Sequence, residues 1–252
     1  MQSPVLILGA SGVIGAAIAR RLSGDGPMIL HGHKGTDRLQ SLAKEIDGAA
    51  TVNADLCDPA QVSDMFGKLS KDHGALRGVV FAVASPFPHK LTHKTDWSVF
   101  ETQIETQLKA LHLSLSAALP LLEAHEGTAR ALVLSTEYVL GAPPVKIAPY
   151  VAAKAALTAY ARVLAQEWLG RGLRVHILAP GMVESALTAE LPAMYLEQVA
   201  EAMPETRLPS AEDVAAAAVV LLSEAGDGMC GTVVPVSRAP GTWKYRSDGR
   251  CG

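Results

Sequence analysis

The amino-acid sequence predicts a single-domain α/β fold: a doubly wound parallel sheet of about seven strands with helices on both faces. Three observations carry this expectation. Short apolar runs recur along the chain, longer amphipathic stretches separate them, and the first run leads straight into a glycine-rich turn that opens a helical pattern. Apolar strands alternating with helices bury both faces of a parallel sheet. Right-handed crossovers then wind that sheet outward from a switch point.

The elements follow in order. Val5–Leu8 is wholly aliphatic and reads as the first strand; Ile14–Leu22 is helical, with apolar residues at Ile14, Ile18 and Leu22. Met28–His31 is the second strand, followed by Arg38–Ile46 with Leu39, Leu42 and Ile46 on one side. Ala50–Asn53 is the third strand, and Pro59–Lys71 repeats its apolar side at Val62, Met65, Phe66 and Leu69. Val79–Val83 is the fourth strand and Trp97–Glu123 one long helix. Ala131–Ser135 precedes the helix Tyr150–Leu169, and Leu173–Leu178, Ala211–Leu222 and Thr232–Val236 complete the pattern. Pro86–Lys94, Gly141–Pro149 and Met182–Pro209 leave it. Loops after strand C-termini form the ligand crevice of such a sheet. Residues 182–209 are therefore expected to be a lid over a small-molecule substrate with a hydrophobic part, although their apolar content fits subunit packing equally well. The tail from Ser237 to Gly252 has no period; its Trp243 and Tyr245 either pack on the body or a neighbour, or the tail frays.

Composition narrows the function classes. The chain has 252 residues, 49% hydrophobic and 19% charged, enough for a core that needs neither metal nor disulfide. A net charge of -3 gives no electrostatic grip on nucleic acid or an anionic membrane. Cys57, Cys230 and Cys251 are odd in number and lack metal-ligand spacing, as expected for reduced thiols in the cytoplasm. No basic stretch precedes Val5–Leu8, as a signal peptide requires. The longest wholly apolar run, Val214–Leu222, is too short to span a bilayer. His89 and His93 are four apart, but no third ligand converges on them, and no metal is expected.

Two motifs carry chemistry. After Leu8 the chain reads Gly9-Ala10-Ser11-Gly12-Val13-Ile14-Gly15 and runs at once into a helix. Glycines let the backbone approach a pyrophosphate, and the helix start presents unpaired N–H groups and a positive dipole end to it. An acid at the end of the second strand would bind the ribose 2′-hydroxyl of NAD. That strand instead ends in His31-Gly32-His33-Lys34, so Lys34, with His33, is expected to attract the 2′-phosphate of NADPH, with NAD disfavoured; otherwise Lys34 is a solvated charge. Further on, Tyr150-Val151-Ala152-Ala153-Lys154 puts a phenol and an amine on one helix face. A free phenol titrates near pH 10. A cation about 4 Å away, at an effective dielectric of about 20, is worth on the order of 4 kcal/mol, or about three pH units. The expectation is therefore that Lys154 lowers the Tyr150 pKa and makes it a workable acid or base.

In this combination the chain resembles the short-chain dehydrogenase/reductase family over almost its whole length. The resemblance rests on five features in family order: the Gly9–Gly15 turn, Asn53-Ala54-Asp55-Leu56, Leu134-Ser135-Thr136, Tyr150-Val151-Ala152-Ala153-Lys154, and Ala179-Pro180-Gly181-Met182-Val183-Glu184-Ser185. It implies a Rossmann-type fold, a homotetramer or homodimer, and hydride transfer between a nicotinamide and a carbonyl or alcohol carbon. Gly9, Ser11, Gly12, Val13, Ile14 and Gly15 would surround the pyrophosphate. Asp55 would bind the adenine amino group, with Leu56 beside the ring; alternatively Asp55 is a turn or cap acid. Tyr150 would be the general acid or base, Lys154 would bind the nicotinamide ribose, and Pro180, Gly181, Val183 and Ser185 would frame the nicotinamide amide.

Departures accompany it. The glycines follow G-x-x-G-x-x-G, as in extended members, although the length is that of the compact type. Phe81-Ala82-Val83-Ala84-Ser85 replaces the usual Asn-Asn-Ala-Gly, leaving Ala82 and Ala84 beside the cofactor. Here the chain is similar to the pteridine reductase and enoyl reductase branches, and its H-G-H-K stretch is similar to the His-Arg stretch of pteridine reductases; it also resembles 3-oxoacyl-thioester reductases. The relay asparagine falls on Gln107, which is otherwise a plain helix residue. The catalytic hydroxyl falls on Thr136, with Ser135 as fallback, and Glu137 beside it is a solvated acid or a substrate-specific group. The implied function is an NADPH-dependent carbonyl reductase. The alternatives are a reductase of C=N or C=C bonds and a dinucleotide-binding sensor with little turnover.

Overall fold

The computed structural model describes residues 2–34, 36–185, 187–189, 191–201, 203 and 205–237. Among these the strands are β1 Val5–Leu8, β2 Met28–Gly32, β3 Ala49–Asn53, β4 Gly78–Phe81, β5 Arg130–Leu134, β6 Arg174–Pro180 and β7 Val233–Val236. The helices are α1 Val13–Arg21, α2 Thr36–Glu45, α3 Pro59–His73, α4 Trp97–Ile104, α5 Ala110–Glu123, α6 Ala148–Leu169, α7 Ala193–Glu201 and α8 Ala211–Leu221. The strands form one seven-stranded sheet, ordered β3-β2-β1-β4-β5-β6-β7, and every adjacent pair is parallel.

The apolar runs are continuous because side chains alternate between two cores. Leu6, Leu8, Val79 and Phe81 face one core with α3, α5 and α6, whereas Val5, Ile7 and Val80 face the other with α1, α2 and α8. Strand order reverses at β1, which pairs Leu8 with His31 of β2 on one side and with Phe81 of β4 on the other. The connections leaving β1 and β4 diverge there and open a crevice at the strand C-termini.

The elements differ from expectation in three places. Residues 97–123 are not one regular helix: a π-helical turn, Glu105–Lys109, separates α4 from α5. Such turns hold an inserted residue and re-aim side chains. The segment expected to be an irregular lid contains the helix α7. Finally, β4 ends at Phe81, whereas β6 runs on to Pro180, and Gly181 N–H donates to Val236 O at 2.9 Å. Trp243 and Tyr245 of the tail, and Cys251, lie outside the described residues. Among the described residues no helix is long and apolar enough to cross a membrane.

Candidate active site

The glycine turn is built by sterics. Gly9 has φ +84, and a β-carbon there would lie 2.8 Å from the carbonyl oxygen of Ala82. A β-carbon on Gly15 would lie 2.4 Å from Gly9 O. Only hydrogen fits at either place. Gly12 caps α1 without a side-chain hydrogen bond, which leaves the first N–H groups of the helix facing outward. The turn also has a support that sequence reasoning missed. Gly9 N–H donates to His31 Nδ1 at 3.3 Å, so the opposite nitrogen, Nε2, carries the proton and donates to Ala54 O at 3.0 Å. Burial holds His31 neutral, with its pKa lowered to about 4. An aliphatic side chain could not make this bridge between β1, β2 and the end of β3.

Ser11 Oγ lies 3.6 Å from where a β-carbon on Gly32 would stand, so the turn and the end of β2 are neighbours. His33 and Lys34 follow as exposed residues, with no acid before α2. The Oδ1 of Asp55 accepts from Cys57 N–H at 2.9 Å and so shapes the turn after β3. Leu56, expected beside an adenine ring, is 4% exposed and belongs to the core with α3 and α5.

A cavity of about 440 Å³ opens beyond the turn. It gathers Ile14, Ala82, Ala84, Thr136, Tyr150, Lys154, Pro180, Gly181, Val183 and Ser185 from positions up to 171 residues apart in sequence, Ile14 and Ser185 being the extremes. Tyr150 and Lys154 share one face of α6, as their spacing requires. The Thr136 hydroxyl donates to Pro180 O at 3.4 Å and lies close enough to the Tyr150 phenol to lower its pKa. Ser135 points elsewhere, its Oγ 2.5 Å from Thr158 Oγ1. Thr136, not Ser135, is therefore the hydroxyl beside the phenol.

The electrostatics differ from the expected ones. Lys154 Nζ is 6.0 Å from the Tyr150 ring centroid and donates to Leu134 O at 2.5 Å. Burial pushes the phenol up to about 12, partly offset by Thr136, and pushes the amine down to about 7. In the protein alone, then, desolvation dominates both groups and moves the phenol opposite to the expected lowering. Glu137 is a further, half-buried acid. Its carboxylate packs on Gly181, bonds to Ser237, and is raised by burial to about 7.

The sequence does not single out Phe87 and Tyr138, whereas it puts His89 on an expected substrate-facing loop and Tyr195 in the expected lid. Phe87 stacks on Tyr150 with centroids 5.1 Å apart and planes 15° from parallel, and His89 tilts against Phe87 at 5.0 Å. Tyr138 and Tyr195 line the same cavity. The only sequence signal for these was their place in the loops after β4, β5 and β6. Gln107 is buried and does not line the cavity; its Nε2 donates to Gln103 Oε1 at 3.3 Å. Among the described residues no three His, Cys, Asp or Glu side chains gather as metal ligands.

The residues at the crevice fit a dinucleotide: a turn that a β-carbon would fill, an uncapped helix start against it, and a cavity running on to Tyr150. A family model described as enoyl-(acyl carrier protein) reductase matches residues 9–238. Nodulation protein G of a Rhizobium species is 31% identical over 241 residues, covering 92% of this chain and 94% of its own. Cis-4-hydroxycyclohexanecarboxylate dehydrogenase of Sinomonas cyclohexanicum is 28% identical over 235 residues, covering 92% and 93%. A Pseudomonas aeruginosa protein solved as the RhlG/NADP active-site complex shares the fold with a TM-score of 0.86 at 24% identity, covering 94% of this chain and 95% of that one. A short chain dehydrogenase of Burkholderia cenocepacia in complex with NADP gives 0.84 at 24%, covering 94% and 97%. The chain belongs to the short-chain dehydrogenase/reductase family of NAD(P)-dependent oxidoreductases.

Proposed function

We propose that this protein is an NADPH-dependent oxidoreductase that interconverts a carbonyl and an alcohol, with Tyr150 as proton donor to the carbonyl oxygen. The observation that carries this reading is the Thr136–Tyr150 hydroxyl pair, with Lys154 on the same helix face, in the cavity that continues from the glycine turn. Gly9, Ser11, Gly12, Val13, Ile14 and Gly15 would hold the pyrophosphate, His33 and Lys34 the 2′-phosphate, and Asp55 the adenine. Ala82 and Ala84 would flank the adenosine side, and Pro180, Gly181, Val183 and Ser185 would frame the nicotinamide. The absence of an acid at the end of β2, together with the NADP named in the two solved relatives, supports NADPH over NADH. When bound, the dinucleotide supplies two-electron transfer at the carbonyl carbon.

The protein's own groups manage the proton. A phenol pushed up to about 12 keeps its proton at neutral pH but is a weaker acid than a free phenol, so donation relies on the charge that builds on the carbonyl oxygen during reduction. The Thr136 hydroxyl can donate a second hydrogen bond to that oxygen and so favour the charge that builds on it. Lys154, which lines the cavity, would bind the nicotinamide ribose, and Gln107 would stand at the family's relay position. The walls include Phe87, Tyr138, Tyr195, Leu187 and Leu191, in a chain with only 5% aromatic residues, which supports a substrate with a hydrophobic part. We assign the assembly to a homo-oligomer built on the α4 and α6 face, where Trp97, 64% exposed, stacks on Phe100 and Val163 is also exposed. The family model's own description keeps C=C reduction as the second reading.

The test is a titration with NADPH and NADH by fluorescence, followed by a screen of ketones and α,β-unsaturated substrates. NADPH is expected to bind at least tenfold more tightly, and Lys34→Ala to narrow the gap. Tyr150→Phe is expected to cut ketone turnover by about 10²-fold or more. Tighter NADH binding, or a Tyr150→Phe variant as fast as wild type, overturns the reading.

A further inference from the structure

The cavity that holds Tyr150 has a one-sided charge. Two basic side chains besides Lys154 line it, His89 and Lys146, and among the described residues no aspartate or glutamate does. Glu137, next to Thr136 in sequence, makes its contacts with Gly181 and Ser237 instead. His89 is half-buried and Lys146 exposed, so one stands within the wall and the other at its rim. Among the described residues neither has a hydrogen-bond or ion-pair partner. The ring contacts fix where His89 stands. It tilts against Phe87 at 5.0 Å, and Phe87 stacks on Tyr150 at 5.1 Å, so imidazole and phenol are at most about 10 Å apart. Lys146 lies four residues before Tyr150, just ahead of Ile147, the N-cap of α6. Its backbone is left-handed, with φ +70, a conformation that favours glycine. The turn itself therefore does not call for lysine. The wall around the two basic groups is apolar, with Val145, Leu187, Leu191 and Tyr138.

We propose that the substrate is an oxo acid, an apolar ketone with a carboxylate a short spacer away from its carbonyl, and that His89 and Lys146 are the specificity-determining residues that receive this carboxylate. The reaction at the carbonyl end rests on the carbonyl reading given above; the carboxylate end rests on the charge of the wall. An ammonium offers three donors, and an imidazole offers an N–H in either tautomer, so together they can meet both oxygens of a carboxylate. At the rim, water completes the shell, and the anion escapes the cost of full burial while the apolar part enters the cavity. One ammonium matches one negative charge. A phosphate would bring further charge, and Lys154, the other amine of the cavity, already donates to Leu134 O. The limit on the distance from His89 to Tyr150 keeps the spacer short and excludes a long-chain acid that carries its carboxylate far from the carbonyl.

The experiment pairs an acid with its neutral counterparts. With NADPH, kcat/KM is measured for 4-oxo-4-phenylbutanoate and for its methyl ester in wild type, His89→Leu, Lys146→Gly and Lys146→Glu. Wild type is expected to prefer the acid by about tenfold or more, the scale of a hydrogen bond to a charged group. His89→Leu and Lys146→Gly are each expected to cut that preference at least about threefold, through KM, and Lys146→Glu to reverse it. Glycine suits the left-handed turn, so the Lys146 variants decide if His89→Leu does not fold. A structural role would lower acid and ester together, and that outcome overturns the proposal. A second arm needs no carbonyl: calorimetry on the NADP-loaded protein with 4-phenylbutanoate, 4-phenylbutanamide and 3-phenylpropylphosphonate. The carboxylate is expected to bind about tenfold or more tightly than the amide, and the phosphonate no more tightly than the carboxylate. Equal binding of acid and amide, or a tighter phosphonate, overturns the proposal. Turnover of the ester with no preference for the acid also overturns it and leaves the carbonyl reading standing. Preferential binding of the carboxylate with no turnover of acid or ester removes the carbonyl reading, and the oxo acid with it.

Discussion

Lys154→Met replaces an amine that is 2% exposed and whose hydrogen bond runs to Leu134 O. Burial lowers this amine from the ordinary 10.5 to about 7. Between those values the unfolded chain carries a proton that the folded chain has released. Unfolding therefore takes up a proton, and stability rises with pH by up to about 1.4 kcal/mol per pH unit. Below pH 7 both states are protonated and the whole cost of burying the charge is present, on the order of 5 kcal/mol. Integrated from pH 7 to pH 9, the gain is about 2 kcal/mol, because half of the folded molecules are already neutral at the start. Methionine has no proton to release, so the variant lacks this gain, whatever it loses by leaving Leu134 O without its donor. Glu137, raised to about 7, titrates at the lower edge of this window, and His31 and His176, both lowered to about 4, chiefly below it. These groups are common to both proteins and cancel in the difference, and Tyr150 lies above the window. The assay is urea unfolding of both proteins without dinucleotide at pH 7, 8 and 9, read by tryptophan fluorescence. The stability difference, wild type minus variant, should grow by about 2 kcal/mol, near 1 M in midpoint for a slope of about 2 kcal/mol per M. Parallel profiles would show that water or a counter-charge solvates Lys154, and would refute the desolvation argument for the pocket.

Two further outcomes follow from the same geometry. Gly9→Ala forces a side chain into left-handed backbone and against the Ala82 carbonyl, and should cost about 2–5 kcal/mol and weaken NADPH binding. Gly24→Ala, at φ +97 with nothing within 4 Å, should cost only about 1–2 kcal/mol in urea unfolding; equal losses would remove the clash as cause. For Glu137→Gln the sign is opposite to that of Lys154. Burial raises this acid from 4.5 to about 7, so the folded state keeps a proton that the unfolded chain releases, and wild type loses stability as pH rises through that interval. Thermal midpoints at pH 5.5 and 7.5 should fall in wild type relative to the glutamine variant, and a variant with the same fall would locate the titration elsewhere.

Burial and proton bookkeeping also divide what was legible in the chain from what was not. Strand runs such as Val5–Leu8 were readable because a residue that meets a core on either face must be apolar, and that requirement acts locally. The glycine turn was readable because Gly9 and Gly15 have no room for a β-carbon, and the pairing of Tyr150 with Lys154 because helix geometry fixes which residues share a face. Ser135 and Thr136 were adjacent alternatives until α6 and β6 had been packed around them: Thr158 took one hydroxyl, and Pro180 O holds the other beside the phenol. The break in the long helix had no apolar signature, since Gln103 and Gln107 are polar residues inside the core whose partner, Ser85, lies 18 positions before Gln103.

The sequence alone determined the order of elements, the parallel sheet, and which residues could do chemistry, because period, sterics and residue type are set along the chain. Tertiary structure alone decided the proton affinities. Solvent exclusion around Tyr150 and Lys154 is produced by Phe87, Pro180 and other residues distant in sequence, and desolvation depends on what surrounds a group in space.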